Sequence, residues 1–254
     1  MIDIDEDIDA DWLRPKEGFA GEEEEEDNVS FGKTCVDRLV AGVGETVMLP
    51  LIGILVSNTI ANDTDWRYKH AGIMAFSQVG EYVDDIEKIR PMIPTVLQHI
   101  QHSNPKIRYA SLHCIGQIAD DMPGDFQKTF HAECLPIMIA ALDDQVPRVQ
   151  SHACACFTNF CENTQKEVLL PFMQPLSAKF CMLVKDGCSM TKENATTALG
   201  TFVEKIGEDY AQFFQETINF LVQYLGEFAG PEYKQFRGQA IETITIIATA
   251  VGLE

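Results

Sequence analysis

Apolar side chains recur every three or four residues from about residue 31 to the end of the chain. Leu135, Ile139 and Leu142 show this spacing, which aligns apolar side chains along one face of a helix. Residues 243–248 are β-branched and could form a strand, but they fall in the same helical register. Pairs that contain proline or glycine separate the helical stretches. The pattern therefore predicts an all-α protein.

The chain also repeats itself with a period near 42 residues, which is typical of helical repeat proteins. One row is apolar in every repeat: Phe76, Ile115, Phe157, Leu199 and Ile244. A second row is also apolar: Val79, Ile118, Phe160, Phe202 and Ile247. A third row is always small: Gly72, Ser111, Ala153, Ala195 and Ala240. The apolar rows predict a continuous core, and the small row predicts a close approach of neighbouring helices.

Each repeat divides into a helix A, a short turn and a helix B. The predicted A helices cover residues 46–57, 86–101, 126–142, 169–184 and 210–228. The predicted B helices cover residues 66–81, 105–120, 147–162, 191–204 and 235–251. The repeats span residues 46–81, 86–120, 126–162, 168–205 and 210–251, after a partial repeat that supplies a B helix near 31–41. We predict a HEAT-repeat α-solenoid, a right-handed superhelix of antiparallel helix pairs, within residues 31–254.

Charge is concentrated at the N-terminus. The chain has a net charge of -20, and residues 1–27 contain 13 acids and two bases. We expect residues 1–30 to form a disordered acidic insertion, because such a segment cannot bury a core. Its densest run is Glu22, Glu23, Glu24, Glu25, Glu26 and Asp27. This run is either a solvated linker or a lure for a basic partner.

The B helices keep two polar rows, which predict the candidate binding surface. The first row is Gln78, Gln117, Asn159 and Thr201, and the second is Glu81, Asp120, Glu162 and Glu204. One interpretation is the solvated face that every solenoid helix needs. The other is a groove in which amides bind the backbone of an extended basic peptide and carboxylates pair with its lysines or arginines. The basic row Arg67, Lys106 and Arg148 is expected to satisfy acids and carbonyls within or between repeats.

Other chemistry has little support in the sequence. There is no phosphate-binding loop or nucleophile motif, so no enzyme activity and no cofactor are predicted. Cys154, Cys156 and Cys161 lack the spacing of a metal site, so we expect reduced core cysteines. The acidic balance argues against direct nucleic-acid or membrane binding, and the N-terminus is not typical of a signal peptide.

Several motifs together carry a family resemblance. They are residues 65–68 (Asp-Trp-Arg-Tyr), 36–39 (Val-Asp-Arg-Leu), 47–50 (Val-Met-Leu-Pro), 108–110 (Arg-Tyr-Ala) and 124–128 (Gly-Asp-Phe-Gln-Lys). With the acidic segment before them, they resemble the karyopherin-β (importin-β) nuclear transport receptors, in particular the importin-five branch, karyopherin beta three. The resemblance covers essentially the whole chain and is weakest at residues 179–194. Because these receptors are much longer, we expect the chain to be a central fragment.

The resemblance implies nuclear import. It implies that basic localisation signals bind the concave B-helix surface, that FG nucleoporins bind between the convex A helices, and that Ran-GTP releases the cargo. Expected cargoes are basic proteins such as ribosomal proteins and histones, carried by a monomer that shuttles between cytoplasm and nucleus. The alternative is a HEAT-repeat scaffold subunit of a multiprotein complex without a transport role.

Overall fold

The computed structural model describes residue 4, residues 10–13 and residues 28–252; the side chains of residues 11 and 232 are not described. Every regular element in these ranges is helical. The α-helices are α1 Ala10–Leu13, α2 Asn28–Val43, α3 Glu45–Ile60, α4 Trp66–Phe76, α5 Ile93–His99, α6 Pro105–Asp121, α7 Asp125–Ala141, α8 Pro147–Glu162, α9 Lys166–Leu169, α10 Met173–Asp186, α11 Ser189–Ile206, α12 Ala211–Glu227 and α13 Lys234–Ala250. Short 3₁₀ helices cover Gly80–Tyr82, Ile86–Lys88, Leu170–Phe172, Gly207–Tyr210 and Pro231–Tyr233.

The chain divides into two compact units. The first comprises Met1–Asp9 and Glu22–Ile137, and the second comprises Ala10–Gly21 and Met138–Glu254. Within each unit an A helix contacts the B helix that follows it, as α3 contacts α4 and α10 contacts α11. Successive B helices also contact each other, α4 with α6 in the first unit and α11 with both α8 and α13 in the second. This layering is that of a helical repeat protein.

The three rows that define the repeat lie inside. Both apolar rows and the small row are buried throughout, except that Ile244 is half-buried. The small row matters most at Gly72, where an added Cβ would lie 2.1 Å from the Thr59 hydroxyl. The close approach of helices that the sequence predicts at this row is therefore confirmed at α3 and α4.

Side chains cap the first two of these B helices, α4 and α6. Asp65 and Asn104 accept hydrogen bonds from the backbone N–H groups of Arg67 and Lys106, at 3.0 and 2.9 Å. Proline occupies the first position of α6 and α8, where its missing N–H costs no hydrogen bond. The caps explain why the predicted starts at residues 66 and 105 agree with the structure, and Pro147 explains the start at 147, where no side chain caps the helix.

Near the start of each of the five B helices, one polar side chain donates a hydrogen bond to a backbone carbonyl that precedes the helix. Lys69 donates to the Ile60 carbonyl, Arg108 to His102, Gln150 to Leu142, Lys192 to Lys185 and Arg237 to Gly230. The row recurs with the repeat, and it binds carbonyls at the end of helix A or in the loop that follows it. The sequence analysis did not single out this row.

In the basic row that it did single out, Arg67 has the predicted role within its repeat, whereas Arg148 binds a carbonyl that lies before the predicted repeats. Arg67 forms a two-pronged ion pair with Asp65, and Arg148 donates to the Trp12 carbonyl at 2.7 Å. For Lys106, the described contact is a cation–π interaction, with its amine 5.7 Å from the centre of the Trp66 ring.

Several predicted helix bounds are wrong. The B helix expected over 66–81 ends at Phe76, where the Ser77 hydroxyl donates to the Met74 carbonyl and terminates it. The A helix expected over 86–101 is regular only in α5, because Pro91 and Pro94 disfavour helical geometry before them. The A helix expected over 169–184 is interrupted by the 3₁₀ turn that contains Pro171.

The predicted disordered segment is only partly described. Residues 10–13 form α1, and α2 begins at Asn28 rather than near residue 31. The remaining residues of 1–30, apart from residue 4, lie outside the described residues, and so does the acidic run 22–27.

One helical stretch, Lys166–Asp186, is long and apolar enough to pass a length-and-composition test for a membrane span. It is interrupted by the 3₁₀ turn Leu170–Phe172. Its apolar side chains Leu169, Leu176 and Phe180 are buried within the fold. We therefore interpret it as a core element.

Candidate peptide-binding surface

The two predicted polar rows differ in burial. Every member of the first row, Gln78, Gln117, Asn159 and Thr201, is half-buried. Every member of the second row, Glu81, Asp120, Glu162 and Glu204, is exposed. In each unit, the side chains of the first row are therefore less exposed than the carboxylates of the second.

The first-unit members do not all lie on helices. Because α4 ends at Phe76, Gln78 and Glu81 follow it in a turn and in the 3₁₀ helix Gly80–Tyr82. The Gln78 amide donates to the Ser77 hydroxyl at 2.9 Å. Gln117 and Asp120 lie in the last two turns of α6, as predicted.

Asp121 lies among the first-unit members of these rows, and the sequence analysis did not select it. Its carboxylate accepts a hydrogen bond of 2.7 Å from the Gln117 amide and packs so closely against Gly80 that an added Cβ would lie 2.6 Å from Oδ2. Burial raises the pKa of Asp121 to about 6, and the negative charges of Asp120 and Glu81 contribute to the rise. Asp121 is thus a carboxylate that a cation would stabilise.

A second missed group lies beside it. The Tyr82 hydroxyl donates to Asp37 of α2 at 2.7 Å. This hydrogen bond is the main reason that the pKa of Tyr82 rises to about 12, and the charges of Glu81 and Asp121 add to the effect. Tyr82 therefore lies within electrostatic reach of three carboxylates.

We call Asp37, Glu81, Asp120 and Asp121 the first-unit acidic cluster. Among the described residues, no lysine, arginine or histidine forms an ion pair with any member. Other acids of this unit behave differently: Asp63 pairs with Lys69, Asp65 with Arg67, and Glu87 with Arg90. The cluster is therefore a localised negative charge that the unit's own bases do not neutralise.

The second-unit members lie on regular helices. Asn159 and Glu162 are on α8, and Thr201 and Glu204 are on α11. Glu162, Glu204 and Lys205 all influence the buried thiol of Cys161, so a base lies near these two acids. In the last repeat, half-buried Ile246 and exposed Thr249 occupy the corresponding positions on α13, so the polar rows do not continue there.

A separate apolar pocket lies on the A-helix side of the first unit. It has a volume of about 560 Å³ and lies between α3 and the segment before α5. Leu49, Pro50, Pro91 and Met92 supply its apolar walls. This wall thus includes Pro91, which precedes α5, and Pro50, which lies inside α3.

The described residues contain no group of three or more histidines, cysteines and acids placed to hold a metal ion. Burial raises the pKa of the Cys154 and Cys161 thiols well above its usual range. Thiols in this state are poor nucleophiles and poor metal ligands.

Comparison with known proteins places the chain in a family. Residues 46–187 match a family model described as "Stalled ribosome sensor GCN1-like, HEAT repeats". The chain belongs to this family of HEAT-repeat proteins. The predicted HEAT-repeat α-solenoid fold is therefore confirmed.

Individual relatives give a more specific resemblance than the family model does. Importin subunit beta-3 of Saccharomyces cerevisiae is 27% identical over 257 residues, which cover 100% of this chain and 23% of the relative. Probable importin subunit beta-4 of Schizosaccharomyces pombe is 25% identical over 162 residues, 63% of this chain and 15% of the relative. The predicted resemblance to karyopherin-β receptors is confirmed.

A solved structure agrees with this result. The karyopherin Kap121p, bound to the extreme C-terminus of the protein phosphatase Cdc14p, matches with a TM-score of 0.86 and 25% identity. The match covers 99% of this chain and 24% of that chain. The chain thus spans about a quarter of the length of these relatives.

Proposed function

We propose that the chain is the cargo-binding segment of a nuclear import receptor and that its B-helix surface binds basic nuclear localisation signals. The observation that carries the proposal is the first-unit acidic cluster, which has no basic partner among the described residues. The names of the relatives support the transport role. The Kap121p complex with the C-terminus of another protein is consistent with an extended ligand.

The cluster suits a peptide that carries several cations. Each exposed ion pair contributes only about 0–1 kcal/mol, so affinity must come from several pairs together. Asp121 should contribute more than an exposed carboxylate, because it is half-buried and lies beside Glu81 and Asp120. A bound lysine or arginine would relieve this repulsion between like charges.

Amide groups would hold the peptide backbone between these pairs. The Gln117 amide nitrogen is directed to Asp121, and its oxygen accepts no hydrogen bond from the described residues. That oxygen can accept from a peptide N–H. Gln78 would extend this row in the first unit. In the second unit, considered by itself, Asn159 and Thr201 would bind peptide backbone, and Glu162 and Glu204 would add weaker electrostatic contacts.

The wider transport cycle belongs to the same proposal. FG nucleoporins would insert aromatic side chains into the apolar pocket lined by Leu49, Pro50, Pro91 and Met92. Ran-GTP would release the cargo, which would include basic proteins such as ribosomal proteins or histones. The acidic run 22–27 would attract them at long range, and the receptor would act as a monomer that shuttles between cytoplasm and nucleus.

Calorimetric titration tests the groove. A lysine-rich import-signal peptide and a scrambled peptide of equal charge are titrated at low and at physiological salt. We expect micromolar or tighter binding of the signal peptide that persists at physiological salt, and weaker binding of the scrambled peptide. If both peptides bind equally and the binding is lost at physiological salt, the cluster attracts cationic peptides without distinguishing their sequences.

Matched variants locate the site. Replacing Asp37, Glu81 and Asp121 by Asn, Gln and Asn should weaken signal binding by about tenfold or more, and tenfold corresponds to about 1.4 kcal/mol. The control replaces Asp63, Asp84 and Glu87 by Asn, Asn and Gln. It removes the same number of charges, but from acids that already pair with bases. Equal losses in both variants would contradict the site.

The second candidate function is a HEAT-repeat scaffold subunit. It is favoured by the family match, which concerns the repeats and not transport. A scaffold would bind a folded partner, would be insensitive to Ran-GTP, and would not discriminate between the two peptides.

A further inference from the structure

A short segment from the N-terminal region is seated on the second unit. Arg148, in the first turn of α8, donates from Nε to the Trp12 carbonyl at 2.7 Å. The guanidinium carbon also lies 5.5 Å from the centre of the Trp12 ring. Trp12 and Leu13 are half-buried. One arginine thus recognises both the backbone and the indole of a segment 136 residues away in sequence.

This contact is needed to order α1. The helix has four residues, and a helix of one turn is not stable in water without tertiary contacts. Its order therefore depends on the surface of α8 on which it lies.

The repeat register explains why Arg148 accepts an outside ring. In the preceding repeat the equivalent base is Lys106, which lies over the ring of Trp66 on the neighbouring helix. The residue at the Trp66 position in the next repeat is Pro105, which offers no aromatic ring. Trp12 supplies the ring for Arg148.

We propose that the N-terminal end of α8 is an exchangeable docking site for short acidic segments that carry a tryptophan, and that residues Ala10–Leu13 occupy it in cis. The acidic character follows from charge, because acids lie on both sides of Trp12 in the sequence, at positions 9 and 11, and Arg148 is a cation. A tethered segment has a high effective concentration, on the order of millimolar for short flexible linkers. A partner segment therefore competes only when α1 is removed or weakened.

Fluorine NMR of the full chain tests the cis contact. The chain has two tryptophans, so incorporation of 5-fluorotryptophan gives two signals, and Trp12→Phe assigns them. Arg148→Ala should move the Trp12 signal to the position of the free peptide and leave the Trp66 signal in place. Arg90→Ala, which removes an exposed arginine of the first unit, should move neither signal. A Trp12 signal that does not move in Arg148→Ala would overturn the proposal.

A second measurement tests exchange. A fluorescein-labelled peptide of residues 5–16 should bind Trp12→Ala protein at least tenfold more tightly than wild type, because the site is then vacant. Binding should fall at least tenfold when Arg148→Ala is added, or Arg148→Met, which removes the charge and the donor, if the alanine variant unfolds on thermal melting. The same peptide with alanine in place of tryptophan is the control ligand. Equal binding to wild type and Trp12→Ala, or binding that ignores Arg148, would show that the site does not exchange its occupant.

Discussion

The two units use the same repeat pattern to build different B-helix surfaces. In the first unit, α4 ends early and the acidic cluster forms where its turn contacts α6. In the second unit, the B helices are regular and side chains tie them together: the Asn194 amide donates to the Ser151 hydroxyl at 2.8 Å, and the Thr243 hydroxyl donates to the Thr196 carbonyl at 3.2 Å. The first-unit surface carries carboxylates that pair with no base among the described residues. The second-unit side chains form hydrogen bonds between neighbouring helices.

The two units also differ in how completely their apolar side chains are packed. Phe157, Phe180 and Phe202 of the second unit form a cluster with ring centres 5.2–6.4 Å apart. The first unit leaves several large apolar side chains of α2 and α3 exposed, including Phe31 at 70% and Ile54 at 61%. Recognition is thus expected in the less regular unit and stability in the more regular one. This division can be tested unit by unit.

The largest expected effect is on stability. Phe157→Ala removes the central ring of the second-unit cluster, and core changes of this kind cost about 3–5 kcal/mol. Hydrogen exchange should show lost protection in residues 138–252 and little change in residues 28–137. Phe31→Ala, at an exposed position, is the control and should change neither unit. Equal loss in both units would mean that they unfold as one body.

The next effect concerns the contact that assembles the cluster. Gly80→Ala places a methyl group against Asp121 and should destabilise the first unit by about 1–3 kcal/mol, as overpacking does. It should also weaken binding of the signal peptide, because the cluster is displaced. Gly238→Ala on α13 meets no atom within 4 Å and is the matched control. A Gly80→Ala protein with wild-type melting temperature and affinity would contradict this packing.

The third effect compares the acids of the two units directly. Replacing Glu162 and Glu204 by glutamine should lower peptide affinity about twofold or less, because both are exposed and Lys205 lies near them. Replacing Glu81 and Asp121 by their amides should lower it several-fold more, although each double variant removes two charges. Calorimetry at one salt concentration decides between them. Equal losses of affinity would mean that the acids of the two units contribute equally to peptide binding.

The fourth effect is a pH dependence centred on Asp121. Its folded-state pKa of about 6 lies above the ordinary value of 3.8, so the folded protein takes up this proton more readily than the unfolded chain. The cost of ionising Asp121 is present above pH 6 and disappears as the pH falls toward 4.

Asp121→Asn removes this cost. The variant should be more stable than wild type at pH 7, by on the order of 1 kcal/mol after allowance for solvent screening, and the difference should vanish near pH 4. Chemical denaturation at both values measures it. Asp125→Asn, at an exposed position at the start of α7, is the control. A lower stability of Asp121→Asn at pH 7 would show that the charged form is favoured instead.

The smallest effect tests the base of the second unit. Lys205→Gln should raise affinity for the signal peptide by up to about twofold, because Glu162 and Glu204 lose a nearby positive charge. Lys234→Gln, at an exposed position of α13, changes the net charge equally and serves as the control. A gain of equal size in both variants would assign the effect to net charge alone.

Much of the fold could be predicted because it is periodic. The apolar rows through Phe157 and Phe160 and the small row through Gly72 depend on spacing that recurs in every repeat, and the helix starts depend on local caps such as Asp65. The end of α4 and the start of α5 were not predicted, because they depend on the hydrogen bond of the Ser77 hydroxyl and on the local effect of Pro91 and Pro94.

The candidate site also has one part that the sequence predicted and another that only the structure shows. The sequence by itself determined that polar side chains and acids recur in two rows, because a helical period combined with a 42-residue repeat sets which positions correspond. It did not show that Gln78 and Glu81 follow the end of α4. Only the tertiary structure decided that Asp121 and Asp37 join Glu81 and that Asp121 is partly desolvated. That outcome depends on an absent side chain at Gly80 and on contacts between residues 40 and more positions apart, and no local pattern encodes such contacts.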